Sequence, residues 1–211
     1  MIRSVVGREI VAGHERVTID VGTGDGRAVL ALAAREPMAL LIGLDANAAS
    51  MAESSRRAAR AARNGALGNA LFVVASAADL PAELRGIASL VTVRFPWGSL
   101  LRGCLGADTW VAAGLVSLIA RGGSLELLLA PAHRDNLLGV PAEPDEVVAV
   151  ATATFGGAGL VLLEAREATT GEVLASGSSW ARRLLGRTGR TGWACRASAE
   201  RRPVLIRFRS P

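Results

Sequence analysis

The sequence predicts an α/β fold: one doubly wound domain over residues 1–211, with helices on both faces of a mainly parallel, seven-stranded sheet. Three observations predict it. Short apolar runs recur along the chain, and Ala- and Leu-rich segments separate them. The first run contains an Asp as its second-last residue, and the second run ends in Asp. Apolar strands that alternate with helices are typical of a parallel sheet buried on both faces. A hydrophobic content of 50% is enough for such a core.

The individual elements follow from the same pattern. Pro37 ends the first predicted helix, and a high Ala content indicates the second. Gly122 and Gly123 precede the fifth strand. Strands are predicted at 17–21, 39–45, 71–75, 89–95, 124–130, 160–164 and 204–208. Helices are predicted at 27–36, 47–63, 109–120 and 146–153.

Composition excludes several classes of protein. The start of the chain, MIRSVVGREI, lacks the apolar stretch of a signal peptide. The longest uncharged run, 147–163, is just short of a bilayer span and is interrupted by glycines, so no membrane contact is expected. Two cysteines, Cys104 and Cys195, make no disulfide framework, and two histidines cannot build a His-rich zinc site. We therefore expect a cytoplasmic protein without a metal; Cys104 should be buried and Trp110 structural.

Positive charge is concentrated at the end of the chain. All 24 basic residues are Arg, and residues 180–211 carry nine of them against one acid, a net charge of +8. Residues 1–179 carry a net charge of −3. The basic C-terminal segment 180–211 is therefore predicted to face a polyanion such as RNA. A second candidate is one face of the second helix, which carries Arg56, Arg57, Arg60 and Arg63, although a solvated helix surface explains it equally well.

A glycine-rich turn follows the first predicted strand. Gly22, Gly24 and Gly26 are spaced G-x-G-x-G, where the dinucleotide fingerprint has G-x-G-x-x-G. Asp20 stands two residues before the first glycine; its carboxylate would repel a pyrophosphate but suits the ammonium group of an amino acid. Asp45 ends the second strand and is placed to accept hydrogen bonds from ribose hydroxyls. NAD binding stays open as the competing interpretation.

Strand, turn, helix and terminal Asp together resemble motif I of the class I S-adenosylmethionine (SAM) methyltransferases. The resemblance implies SAM as the cofactor, bound over Asp20, Gly22 and Gly24. It also implies that the end of the third strand, with Ala77 and Ala78, lines the adenine of SAM.

Two Trp-containing segments indicate what the protein modifies. Pro96 and Trp97 follow the fourth strand, where the resemblance places the transferable methyl group. Trp180 is followed by closely spaced arginines, a combination that suits stacking on bases and pairing with phosphates. The alternatives are a packing role for Trp97 and a solvated basic loop after Trp180. The candidate RNA contacts of this segment are Ser178, Ser179, Arg183, Arg187 and Arg190.

The strings DVGTGDG, PWGSLLRG and SWARRL, in this order, resemble the 16S rRNA (adenine(1408)-N1)-methyltransferases that confer aminoglycoside resistance. The resemblance implies that Trp97 and Trp180 sandwich a flipped-out adenine and are the catalytic pair. It implies an RNA-backbone role for Arg183 and Arg190, and the 30S ribosomal subunit as partner of a monomeric enzyme. It implies SAM contacts at Gly22, Asp45, Ala77, Ala78, Pro96 and Ser99.

Two other hypotheses remain at this point. One is a methyltransferase of the same fold that acts on tRNA, for example at guanine N7, or on another rRNA base. The other is a SAM- or RNA-binding module without catalysis. The pair of Trp segments favours the adenine methyltransferase over both.

Overall fold

All strands of the described residues belong to one sheet. The computed structural model describes residues 11, 13–64, 68–132, 135, 137, 139–181 and 201–211. The strand order is β3-β2-β1-β4-β5-β7-β6. The strands are β1 (Arg16–Val21), β2 (Ala39–Asp45), β3 (Ala70–Val74), β4 (Ala88–Arg94), β5 (Ile119–Leu129), β6 (Val161–Glu167) and β7 (Val204–Arg209).

Strands β1 to β5 run parallel to one another, whereas β7 lies between β5 and β6 and is antiparallel to both. The mainly parallel, seven-stranded sheet predicted from the sequence is therefore confirmed. Strand order reverses between β1 and β4, which lie side by side although two strands separate them in sequence. In open α/β sheets a crevice forms at such a point, outside the carboxyl ends of the strands.

Six helices accompany the strands in the described part of the chain. The four predicted helices are present, and each begins or ends within a few residues of its expected bounds. Two short helices, α3 and α6, and a 3₁₀ turn at Ala82–Leu84 were not predicted. The helices are α1 (Arg27–Arg35), α2 (Ala48–Arg63), α3 (Gly98–Cys104), α4 (Thr109–Leu118), α5 (Pro144–Gly157) and α6 (Thr170–Ala175).

The fifth strand begins earlier than predicted. Ile119 pairs with Ala88, but the regular ladder resumes only where Ser124 pairs with Leu90, with a shift of register between them. Gly122, whose φ is 73°, lies in this irregular stretch. The two glycines therefore allow a bulge inside β5 instead of preceding the strand.

The larger hydrophobic core lies between the sheet and helices α4 and α5, and includes Ile19, Val91, Leu125 and Phe208. A smaller core lies under α1 and α2. No helix in the described ranges is both long enough and apolar enough to cross a membrane.

One close backbone contact joins this core to the carboxyl edge of the sheet. Gly114 of α4 lies against the residues that follow β3, and a Cβ there would overlap the carbonyl oxygen of Ala77. Gly156 of α5 has nothing within 4 Å of the corresponding position. The added methyl group of a Gly-to-Ala substitution would therefore clash with the backbone at Gly114 but meet open space at Gly156.

We expect Gly114→Ala to lower the free energy of unfolding by about 1–3 kcal/mol, because the turn after β3 must move to make room. The matched control, Gly156→Ala, should be neutral or stabilising by up to about 1 kcal/mol, since Ala is the better helix former. Denaturant unfolding of both variants measures this. A Gly114→Ala protein as stable as the control would contradict the contact.

Candidate functional site

A cavity of about 490 Å³ opens at the carboxyl edge of the sheet, at the point where strand order reverses. It is bounded by the ends of β1 and β2, the turn after β3, the loop after β4, the first turns of α2 and α3, and one residue of α4. Its lining residues are Val21, Gly22, Leu44, Asp45, Ala46, Asn47, Ser50, Ala75, Ser76, Ala77, Phe95, Pro96, Trp97, Ser99, Leu100 and Val111.

The glycine turn and Asp45 form one hydrogen-bonded unit. Gly22 and Gly24 have φ values of 73° and 59°, the left-handed conformation that favours glycine. The Gly24 amide donates to Oδ2 of Asp45 at 2.9 Å, and the Asn47 amide donates to Oδ1 at 2.8 Å. Asp45 thus holds the turn after β1 against the end of β2, and both line the cavity.

Asp20 is buried and already paired. Its Oδ1 accepts a hydrogen bond from Oγ1 of Thr92 at 2.6 Å and from Nη1 of Arg94 at 3.0 Å. The sheet register puts Asp20 directly beside Thr92 on β4. Asp20 is not among the lining residues, although it precedes the glycine turn by only two residues.

The two alanines after β3 have different surroundings. Ala77 is buried and lines the cavity, whereas Ala78 is exposed and does not. The amide of Ala78 donates to Oγ of Ser76, within a tight turn closed by a bridge between Ser76 and Asp79.

The loop after β4 forms the opposite wall. Phe95 has a φ of 49°, in the left-handed region that a non-glycine residue rarely adopts. Pro96 and Trp97 come next, and α3 begins at Gly98. Trp97 lines the cavity while 56% of its surface remains exposed, so its ring stands at the mouth of the cavity.

Trp180 packs against Phe95 of this loop. It is half-buried, and its ring centroid is 4.5 Å from that of Phe95, with 30° between the planes. Its amide donates to Oγ of Ser178. Because Phe95 lines the cavity, the structure brings both predicted tryptophans to the same loop, although Trp180 itself is not a lining residue.

The described part of the basic segment is largely neutralised by acids. Arg201 pairs with Asp135, Arg202 with Glu167, and Arg207 with both Glu126 and Glu164. All three side chains are engaged in ion pairs, but only the pair of Arg201 is buried, whereas that of Arg202 is exposed. Of the predicted RNA contacts, Arg183, Arg187 and Arg190 lie outside the described residues, and Ser178 and Ser179 are partly buried next to Trp180.

Three features of the site were not predicted. Phe95 was predicted only as the last residue of a strand, yet it joins the cavity to Trp180. Arg201 lies with its guanidinium carbon 5.3 Å from the Trp180 ring centroid. Trp110, expected to be structural, is 77% exposed at the start of α4, so that expectation was wrong.

No group of three or more metal-ligating side chains occurs within the ranges that the structure describes.

Sequence comparison decides the family. The family model described as NpmA, 16S rRNA (adenine(1408)-N(1))-methyltransferase, matches residues 4–199. The chain belongs to this family.

Relatives of the adenine(1408)-N1 methyltransferase family resemble the chain over most of its length. A 16S rRNA (adenine(1408)-N(1))-methyltransferase of Streptoalloteichus hindustanus is 32% identical over 202 residues, which is 87% of this chain and 92% of the relative. The crystal structure of the 16S rRNA methyltransferase KamB has a TM-score of 0.82 at 28% identity, covering 100% of this chain and 95% of KamB.

A second structure of this methyltransferase family bears on the cofactor. It is a single-residue variant of the Catenulisporales acidiphilia enzyme with the cosubstrate SAM. Its TM-score is 0.80 at 28% identity, covering 100% of this chain and 92% of that protein. The family uses SAM, as the sequence resemblance implied.

The described part of the chain contains one thiol, and its surroundings make it unsuited to act as a nucleophile. Cys104 of α3 is fully buried, and burial raises its pKa to about 12. The thiol therefore stays protonated at neutral pH, as predicted for a core cysteine.

We expect Cys104 to resist an aromatic disulfide reagent at pH 8 in the folded protein and to react fully in guanidinium chloride. The measurement uses Cys195→Ser, which leaves Cys104 as the sole thiol. The Cys104→Ser protein is the control, in which Cys195 is the sole thiol. Equal rates of reaction for native and denatured Cys195→Ser would contradict the burial.

Proposed function

We propose that the chain transfers the methyl group of SAM to N1 of adenine 1408 of 16S rRNA within the 30S subunit, with Trp97 and Trp180 holding the base. The observation that carries the proposal is the cavity at the strand-order reversal, with Trp97 at its mouth and Trp180 packed on the same loop. Membership of the adenine(1408)-N1 methyltransferase family supports both substrate and cofactor.

The cavity offers the groups that SAM requires. A carboxylate has about four lone-pair positions, and the amides of Gly24 and Asn47 use two at Asp45, which leaves others for ribose hydroxyls. The turn at Gly22 and Gly24 lets the backbone approach the methionine part. Ala77 would border the adenine, with Pro96 and Ser99 beside the methyl group, whereas Ala78 is exposed outside the cavity.

Asp20 would act on the methionine end through a hydrogen bond. Its carboxylate is buried beneath the glycine turn, and one of its oxygens is taken by Thr92 and Arg94. Arg94 balances the charge of Asp20, so the pair carries no net charge that would select an ammonium group over a pyrophosphate. The second carboxylate oxygen of Asp20 would accept a hydrogen bond from the ammonium group of SAM.

The base must leave its stack before N1 can react. Extrusion costs a few kcal/mol, and stacking on an aromatic side chain returns roughly 1–3 kcal/mol per contact. Two indole faces, from Trp97 and Trp180, are therefore of the right magnitude to hold the base. The indoles also favour the positively charged product through cation–π attraction.

The reaction needs positioning more than proton transfer. N1 of adenine carries a free lone pair at neutral pH, so no general base is required. SAM, when bound, supplies an electrophilic methyl group on a sulfonium. The residues of the site have to align N1 with that methyl group and exclude water.

The RNA backbone would be held by arginines. On α2, Arg56, Arg57, Arg60 and Arg63 are all exposed, and Glu53 is the one carboxylate paired with Arg56 and Arg60. The hydrogen bond from Arg56 lowers the pKa of Glu53, so this acid stays charged. A surplus of positive charge remains on the helix. Ser178, Ser179, Arg183, Arg187 and Arg190 would add contacts beside Trp180.

The cellular setting follows from the substrate. A monomer acting in the cytoplasm on assembled 30S subunits, with aminoglycoside resistance as the outcome, completes the proposal. A structural relative carries the name aminoglycoside resistance methyltransferase NpmB1.

We expect Trp97→Ala and Trp180→Ala each to lower methyl transfer to 30S subunits roughly ten- to a hundredfold, because each removes one stacking face. SAM affinity should stay within about twofold. Transfer of radiolabelled methyl groups and calorimetric SAM titration measure the two quantities. Trp110→Ala, which removes another exposed indole, is the matched control and should keep wild-type activity.

The same assay distinguishes the alternatives. Labelled 30S subunits, with much less label from either Trp variant, would support the proposal. Label in tRNA would select a tRNA methyltransferase, and SAM binding without label in any RNA would select a non-catalytic module. Full activity in both Trp variants would exclude the sandwich.

The α2 arginines generate a separate expectation. If Arg57 and Arg60 contact phosphates, Arg57→Gln and Arg60→Gln should each reduce the slope of log Kd for 30S subunits against log salt concentration by about one. Arg121→Gln is the control, since Arg121 is exposed at the amino-terminal end of β5, away from the cavity at the carboxyl ends of the strands. Slopes equal to that of the control would remove α2 from the interface.

A further inference from the structure

Trp180 rests against a buried ion pair. The side chains of Arg201 and Asp135 are 7% and 5% exposed. The Arg201 guanidinium donates to both carboxylate oxygens of Asp135, with 2.9 Å from Nη1 to Oδ2, and to the carbonyl oxygen of Ala130 at 2.5 Å. Its carbon lies 5.3 Å from the centroid of the Trp180 ring.

This pair sits where two strands meet. Ala130 directly follows β5, and two residues separate Arg201 from the start of β7. The last residue of β5, Leu129, pairs with the first residue of β7, Val204. The bidentate geometry leaves the guanidinium little freedom, because three hydrogen bonds to two anchors fix its plane. The cation over the indole is therefore held at the end of β5 by the carbonyl oxygen of Ala130 and by Asp135.

Stability alone is a weak reason for such a pair. Removing two charges from water costs several kcal/mol, and apolar residues of similar volume often stabilise a protein equally well or better. A cation fixed against an aromatic ring adds a directed attraction, which hydrophobic packing does not supply. The pair is thus better suited to setting the position of Trp180 than to holding the fold together.

We propose that Arg201, held by Asp135, is a positioning residue that fixes the Trp180 ring for catalysis. Arg201 contacts neither base nor SAM; it acts through Trp180, with Phe95 as the second contact that sets the ring. The proposal rests on the proposed function of Trp180 as one wall of the base site. It assigns Arg201 to the protein interior and not to the RNA-binding surface, despite its place in the basic segment.

The kinetic test uses a double substitution, Arg201→Met with Asp135→Leu, which removes both buried charges and keeps apolar volume. We expect kcat for 30S methylation to fall about tenfold, the size of one desolvated cation–π contact. KM for 30S subunits and the Kd for SAM should change less than about twofold. The control is Arg207→Met with Glu126→Leu, an ion pair between the same two strands, which should keep wild-type kcat.

A spectroscopic test reads the ring itself. The chain contains no Tyr and four Trp, so replacing Trp97, Trp110 and Trp193 by Phe leaves Trp180 as the sole source of indole fluorescence. In that background the Arg201→Met and Asp135→Leu substitutions should lower the fluorescence anisotropy of Trp180, whereas the control pair should not. A role confined to stability would leave this anisotropy unchanged in the folded protein.

Arg201→Lys is the second variant should the double variant fail to fold, since it keeps the charge balance with Asp135 and removes the planar guanidinium that lies against the ring. It should lower both kcat and anisotropy, by less than the double variant. Wild-type kcat and anisotropy in the folded variants would overturn the proposal. If instead the proposed role of Trp180 in base binding is wrong, the result differs. Trp180→Ala would then be fully active, while the substitutions at Arg201 and Asp135 would still lower the anisotropy.

Discussion

The parallel alignment of β1, β2, β3 and β4 determines where every other part of the site can lie. It brings the carboxyl ends of four strands to one edge, where their last residues and the loops after them meet. These segments are the glycine turn, Asp45, the turn at Ala77 and the loop at Trp97. None of them is close to the others in sequence. The hydrogen bond between Gly24 and Asp45 then fixes the ends of β1 and β2 against each other.

Phe95 connects the cavity with Trp180. Its left-handed backbone turns the chain sharply after β4, so that its own ring packs on Trp180 while Trp97 stands at the mouth of the cavity. Such a conformation costs about 1–3 kcal/mol in a non-glycine residue and persists where the surroundings enforce it. The cavity and the Trp180 ring therefore share one strained residue.

The sequence predicted the strands well because buried parallel strands are continuous apolar runs, and it predicted Asp45 and Trp97 because they lie at or just after the ends of such runs. It missed α6, a six-residue helix held by a capping box between Thr169 and Glu172, since so short a segment has no apolar periodicity. It also missed the partners of charged residues. Asp20 and Arg94 are 74 residues apart, and Arg201 and Asp135 are 66 apart, so only the sheet brings them together.

Primer extension on 16S rRNA is the decisive measurement, because a methyl group on N1 blocks base pairing and stops reverse transcription. Purified 30S subunits are incubated with the protein and SAM, with the Trp97→Ala protein in parallel. We expect a stop at adenine 1408 that requires SAM and is strongly reduced with Trp97→Ala. Unmodified adenine 1408, or a stop at a different nucleotide, would refute methylation of this base by the chain.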